Sequence, residues 1–178
     1  MIYFLRHFKV KDSSSNWLNS EEFDTWVVKG YDTFELEYND VVLPKNINKI
    51  YVSSQTRAIK SADFFNLDYK INDLLVEVPI KSFINTKFKL PKWLWLFAGR
   101  LAWFFNFKQI ETKKETNKRV EDFIKNLDMN DNILIISHGF FMMLLVKKLK
   151  KLGYSGNISS KMRNGKIYKM ERQDGKTI

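Results

Sequence analysis

The chain has only two histidines in 178 residues, and each follows an unbroken apolar run. The first run is Ile2-Tyr3-Phe4-Leu5, which ends in Arg6-His7. The second is Ile133-Leu134-Ile135-Ile136, which ends in Ser137-His138-Gly139. Short runs rich in β-branched and aromatic residues read as buried strands. In open α/β sheets ligands bind beyond the carboxyl ends of the strands, so two strands deliver one histidine each to one functional edge. A third apolar strand, Ile50-Tyr51-Val52, leads into Ser53-Ser54-Gln55-Thr56-Arg57-Ala58 and brings a second arginine to that edge.

Two guanidinium groups at one small site imply an anionic ligand, because their planar donor forks match phosphate oxygens and stay protonated. A neutral imidazole between them is a nucleophile toward phosphorus, and the remaining work is positioning and charge stabilisation. The second imidazole would donate to the phosphoryl oxygens as charge shifts. The leaving oxygen needs a proton, so a carboxylic acid is expected nearby. Glu77, the one carboxylate in Leu74-Leu75-Val76-Glu77-Val78-Pro79, is the first choice, with Asp73 and Glu35 as alternatives.

These residues resemble the histidine phosphatase superfamily, also called phosphoglycerate mutase-like. Its Arg-His-Gly motif is matched by Arg6-His7, its serine-rich turn with Arg-Ala by Ser53 to Ala58, and its late Ser-His-Gly by Ser137-His138-Gly139. The helix around Arg119-Val120 and the turn Asn164-Gly165-Lys166-Ile167 are similar to later parts of the family pattern. The resemblance implies a three-layer αβα sandwich with a mainly parallel sheet. It implies catalytic roles for His7, Glu77 and His138, substrate binding by Arg6, Arg57, Ser13 and Gly139, and no metal or other cofactor. The chain departs from the pattern at Phe8, which stands in place of glycine, and at Val10 and Ser13, where many relatives carry threonine and asparagine.

The length fits one domain spanning 1–178, with an apolar, lid-like insertion at about 82–110. Cysteine is absent, so neither a disulfide framework nor a thiolate metal site is available. The first residues form a strand without a charged leader, and no apolar run reaches the roughly 18–20 residues that span a bilayer, so a cytoplasmic location is expected. The net charge is +10, but its lysines are scattered as on solvated faces. No nucleic acid partner is expected, and the charge instead steers anionic substrates.

Strands alternate with helices along the chain, which predicts helices on both faces of the sheet. Helices are expected over Trp17 to Val28, with Ser13–Asn16 as a loop or its cap, from Arg57 to Asn66, over Glu111 to Leu127, and over Phe140 to Leu152. Glu77 is expected on a strand, and an edge strand over Lys166 to Met170 is followed by a turn at Gln173-Asp174-Gly175. From Trp93 to Phe107 a helix-length segment is apolar nearly all round, as a core helix, a pocket lid, or a dimer or membrane-surface contact would be.

The expected activity is metal-independent hydrolysis of a small phosphomonoester through phosphohistidine on His7. A phosphoglycerate-type mutase and a noncatalytic phosphate- or lipid-headgroup-binding module are the alternatives.

Overall fold

The apolar runs do form strands. In a computed structural model describing residues 1–107, 109–158 and 161–173, six strands make one sheet. They are β1 (Ile2–Arg6), β2 (Lys49–Ser53), β3 (Lys70–Asn72), β4 (Ile133–Ser137), β5 (Tyr154–Ser155) and β6 (Ile167–Arg172), in the spatial order β3-β2-β4-β1-β6-β5. The first four of that order are parallel, and β6 and β5 add antiparallel pairs. The sheet is therefore mainly parallel, as expected. The strand expected at the edge is β6, but it pairs on both sides and β5 closes the sheet. Asp174 and Gly175 of the predicted turn lie outside the described residues.

Side chains alternate across a strand, which sorts the core into two faces. Tyr3, Leu5, Val52, Leu134 and Ile136 pack with Ala58 and Ala62 of helix α2 (Thr56–Asp63), whose alanines let the helix lie close. On the other face, Tyr51 meets Phe123 of helix α4 (Lys113–Lys125) edge-on at 5.8 Å. Helix α5 (Gly139–Lys151) lies beside α4, with the Arg119 guanidinium 4.6 Å from the Phe141 ring and Lys148 paired to Glu121 at 2.5 Å. Helices thus flank both faces.

Two compact units share the chain. Met1–Lys9, Leu36–Glu77 and Arg119–Ile178 make the first, which contains the sheet; Val10–Glu35 and Val78–Lys118 make the second. In the second, Trp17–Leu18 pairs antiparallel with Leu90–Pro91 instead of starting a helix. The helix α1 covers only Ser20–Thr25, because a capping box at Asn19 sets its start. The Asn19 side chain accepts from Glu22 N–H at 2.9 Å, and the Glu22 carboxylate accepts from Asn19 N–H at 2.8 Å. The next residues, Trp26–Gly30, wind into a π-helical turn.

The apolar segment is helix α3 (Lys92–Phe104). It starts after Pro91 and stops before Phe107 because Asn106 takes a left-handed conformation with φ of 56°. Its inner face supplies Trp95, Gly99, Ala102 and Trp103, and Trp95 stacks on Phe23 at 5.4 Å. Lys92 is also buried, and its Nζ lies 2.6 Å from both Asp12 Oδ2 and Ser14 Oγ. The Trp26 indole donates to the same Asp12 oxygen at 3.1 Å. Burial alone would raise the Asp12 carboxyl, but the hydrogen bonds from Lys92 and Ser14 hold it below its ordinary value.

Removing one member of such a pair leaves an uncompensated charge. Lys92→Ala is expected to cost about 3 kcal/mol of stability, read as a lower midpoint in urea, whereas Lys87→Ala on the exposed surface should leave the midpoint within error.

Candidate functional site

Strand register brings the motifs together. β1 pairs with β4 so that Arg6 lies opposite Ser137, and His7 N–H extends the ladder to Ser137 O at 3.1 Å. β2 pairs with β4 so that Val52 lies opposite Ile136, and Ser53 follows at the same edge. The His7 and His138 rings end up 5.1 Å apart, tilted by 50°. Both are buried, at 2% and 0% exposure.

The His7 imidazole is neutral at ordinary pH. Burial lowers its pKa most and the Arg57 charge next, with Arg6 adding to them; the Phe8 carbonyl opposes, and the balance stands at about 3. One ring proton remains, and Nδ1 lies 2.7 Å from Phe8 O. The proton therefore belongs on Nδ1, donated to that carbonyl, which leaves the Nε2 lone pair for chemistry. Phe8 provides this carbonyl without needing glycine, because its backbone φ is not positive. Its side chain is fully buried against Tyr38, Phe64 and Phe65, at centroid distances of 5.0, 5.1 and 5.8 Å. Ser61 Oγ accepts from Phe8 N–H at 2.9 Å and donates to Arg57 O at 2.6 Å.

His138 is held well below its ordinary pKa, by burial first and then by the charges of Arg57, His7, Arg6 and Arg119. Its Nε2 lies 2.8 Å from Ser53 Oγ. Its Nδ1 and Arg6 Nε are buried with no hydrogen-bond partner among the described residues. Unsatisfied buried polar nitrogens are costly, and here they sit where an anion would complete them. Arg6 Nη1 donates to Met162 O at 2.9 Å, which leaves the guanidinium lying against Gly139. A Cβ at Gly139 would come within 3.0 to 3.2 Å of Arg6 Cζ, Nε and Nη1, which explains the small residue there.

Arg57 occupies the first turn of α2, and its Nη2 donates to Gln55 Oε1 at 2.9 Å. The same Gln55 oxygen accepts from Glu77 N–H at 3.0 Å. Glu77 is not on a strand. Asp73–Leu75 forms a 3-10 turn that the Asn72 side chain caps, and the chain then runs irregularly through Glu77. Arg119 Nη1 fixes this path by donating to the Leu74 and Val76 carbonyls at 2.9 and 2.7 Å. The Glu77 carboxylate accepts from Phe140 N–H at 3.2 Å and Phe141 N–H at 3.0 Å, two first-turn amides of α5 that have no partner within the helix.

Of the residues expected at the site, Arg6, His7, Arg57, Glu77, His138 and Gly139 are gathered by the fold in the first unit. Ser13 belongs to the second unit and is exposed. Asp73 is exposed, and so is Glu35, 3.8 Å from Lys11. Sequence reasoning missed Gln55, Arg119 and Asn164 as positioning groups. Asn164 Nδ2 donates to His7 O at 2.8 Å from a turn that needs Gly165, whose φ is 60° and where a Cβ would collide with the Asn39 side chain. The Asn-Gly pair was the available signal, and its turn chemistry is legible without a structure. A cavity of about 390 Å³ opens beside Arg6 and Asn164, lined in part by Lys9, Lys161 and Arg163; neither histidine lines it.

Two outcomes follow from this geometry. Gly139→Ala should displace the Arg6 guanidinium and weaken inorganic phosphate binding roughly tenfold, read by calorimetry, with the fold retained by circular dichroism. An unfolded imidazole titrates near 6.5 whereas His7 in the fold titrates at about 3, so the unfolded state binds more protons between those values. Stability should therefore fall as pH drops from about 6.5 toward 3, by up to about 1.4 kcal/mol per pH unit for this group. Urea midpoints from pH 7 to 4.5 should show it, with a shallower slope in His7→Asn.

The family model described as histidine phosphatase superfamily (branch 1) matches residues 39–178, a span that contains Arg57, Glu77 and His138 and begins after His7. The search of curated proteins finds no match. Among solved structures, a provisionally assigned alpha-ribazole-5'-P phosphatase from Escherichia coli str. K-12 substr. MG1655 superposes with a TM-score of 0.55 at 16% identity, covering 93% of this chain and 87% of its own. The alpha-ribazole phosphatase from Shigella flexneri gives 0.52 at 18% identity, covering 93% and 87%. TTHB049 from Thermus thermophilus gives 0.54 at 15% identity, covering 93% and 90%. At such identities the likeness is one of fold, and the family follows from the sequence match: this chain belongs to the histidine phosphatase superfamily.

Proposed function

We propose that the chain is a metal-independent phosphatase that hydrolyses phosphomonoesters through a phosphohistidine on His7. The observation that carries the reading is the His7 ring, neutral, with Nδ1 donating to the Phe8 carbonyl and Nε2 left unprotonated between two arginines.

In the first step His7 Nε2 attacks phosphorus and the bond to the leaving oxygen breaks. Arg6 and Arg57 hold the phosphoryl oxygens, and His138, in its neutral form, donates one hydrogen bond to them. Glu77 gives its proton to the leaving oxygen, releasing the alcohol. The amides of Phe140 and Phe141 hold the Glu77 carboxyl in place for this transfer. In the second step water attacks the phosphohistidine, gives a proton back to the Glu77 carboxylate, and inorganic phosphate leaves. The two guanidinium charges do the neutralising work that metal ions do in other phosphoryl-transfer enzymes. Gln55 and Arg119 act through Arg57 and Glu77, as positioning residues.

The cavity beside Arg6 carries Lys161 and Arg163 besides the Lys9–Glu37 pair, a net cationic lining that favours a substrate with negative charge beyond the transferred group. The leaving group is otherwise open, and phosphosugars, nucleotides, phosphoproteins and lipid-linked phosphates all fit that description.

The test is hydrolysis of p-nitrophenyl phosphate near pH 6 with and without a chelator. Turnover should survive the chelator and drop by at least about a thousandfold in His7→Ala. Equal turnover in His7→Ala would overturn the proposal. Turnover of phosphoglycerates by isomerisation, with no phosphate released, would favour a mutase instead.

A further inference from the structure

The outer face of α3 has no counterpart in the phosphatase chemistry. Ten of the seventeen large hydrophobic side chains exposed among the described residues lie between Ile84 and Ile110. On α3 itself Trp93, Leu96, Phe97, Leu101 and Phe104 repeat at helical spacing, and Phe105 follows them. Trp93 is 67% exposed and Phe105 73%, while Trp95 and Trp103 on the opposite face are buried. The helix therefore has two apolar faces, of which packing within its unit uses one. A contiguous outer stripe of this kind marks a contact surface.

Charge selects the partner. Between residues 81 and 118 there are nine lysines and arginines against two glutamates; Lys92 is buried against Asp12 and Lys89 pairs with Glu22 at 3.0 Å, and the remaining excess is still cationic. Lys87 and Lys114 are exposed, and Lys113 Nζ lies 4.2 Å from the centre of the exposed Phe104 ring. A second copy of this face would bring like charges together, whereas an anionic lipid surface complements them. Aromatic rings and leucines flanked by lysines are what an interfacial helix needs, since rings enter the headgroup boundary while ammonium groups meet lipid phosphates. Among the described residues no helix is long and apolar enough to cross a membrane, so the contact lies in the plane of the surface.

We propose that the outer face of α3, with the lysines around it, docks the protein onto anionic lipid membranes. Neither step of the phosphatase reaction is needed for this docking.

The experiment is co-sedimentation of the full chain with phosphatidylcholine vesicles, with and without a one-third share of phosphatidylglycerol, at low and high ionic strength. The protein should sediment with the anionic vesicles, at least about tenfold less with neutral ones, and less at high salt. The double variant Phe97→Asp/Phe104→Asp should lose the binding. A second variant, Lys87→Glu/Lys114→Glu, changes only exposed charges and should weaken binding even if the first fails to fold. Wild-type fluorescence should also be quenched by brominated lipid chains, and Trp93→Phe should lose part of that quenching. Absence of binding to anionic vesicles would overturn the proposal. So would a wild-type dimer that Phe97→Asp/Phe104→Asp dissociates, since the face would then belong to a second copy.

Discussion

Parallel pairing between β1 and β4 is the constraint on which the site depends. Their register sets Arg6 opposite Ser137, and the next residue on each strand is a histidine. No long-range search is needed to find the second imidazole once the strands have paired. A slip by one residue would turn each run's side chains to the opposite face and carry His7 out of reach of His138. The hydrophobic pattern that fills the core therefore also specifies the chemistry, because one register satisfies both.

What the register assembles is electrostatically expensive. Two imidazoles are buried beside two guanidiniums, and burial and the arginine charges both disfavour protonation of the rings. The fold answers with neutrality and with backbone acceptors. The Phe8 carbonyl fixes one proton on His7, and the Met162 carbonyl takes one arm of Arg6. Nitrogens left without partners then favour an anion thermodynamically, so emptiness of charge at the rings and excess of charge at the arginines serve the same end.

The sheet and the cationic edge were legible because they rest on short-range features: continuous apolar runs, and polar groups at the ends of those runs. Apolar spacing suggests a helix from Trp17, but the capping box at Asn19 and the pairing of Trp17–Leu18 with Leu90–Pro91 outcompete it. The apolar neighbours of Glu77 read as a strand, but the chain there is a 3-10 turn followed by an irregular path. Its path is set by Arg119, 42 residues onward, a partner that no local pattern reveals. Phe8 shows the opposite case, where a departure from a motif looks like a lost contact until packing gives the ring its own pocket. The outer face of α3 followed from the length and apolarity of the segment, but which side would stay exposed depended on where Trp95 and Trp103 found their partners.

Burial of a neutral, nucleophilic imidazole has a consequence for its reactivity outside catalysis. Small acylating reagents attack unprotonated histidine, and by its protonation state alone His7 should be modified readily even in mildly acidic solution. Only 2% of the residue meets solvent, however, so the rate of such labelling reports how often the site opens and not the basicity of the ring. On the mechanism proposed above, the same enclosure would shield a phosphohistidine from stray nucleophiles, and its lifetime would then be set by the motion of its surroundings.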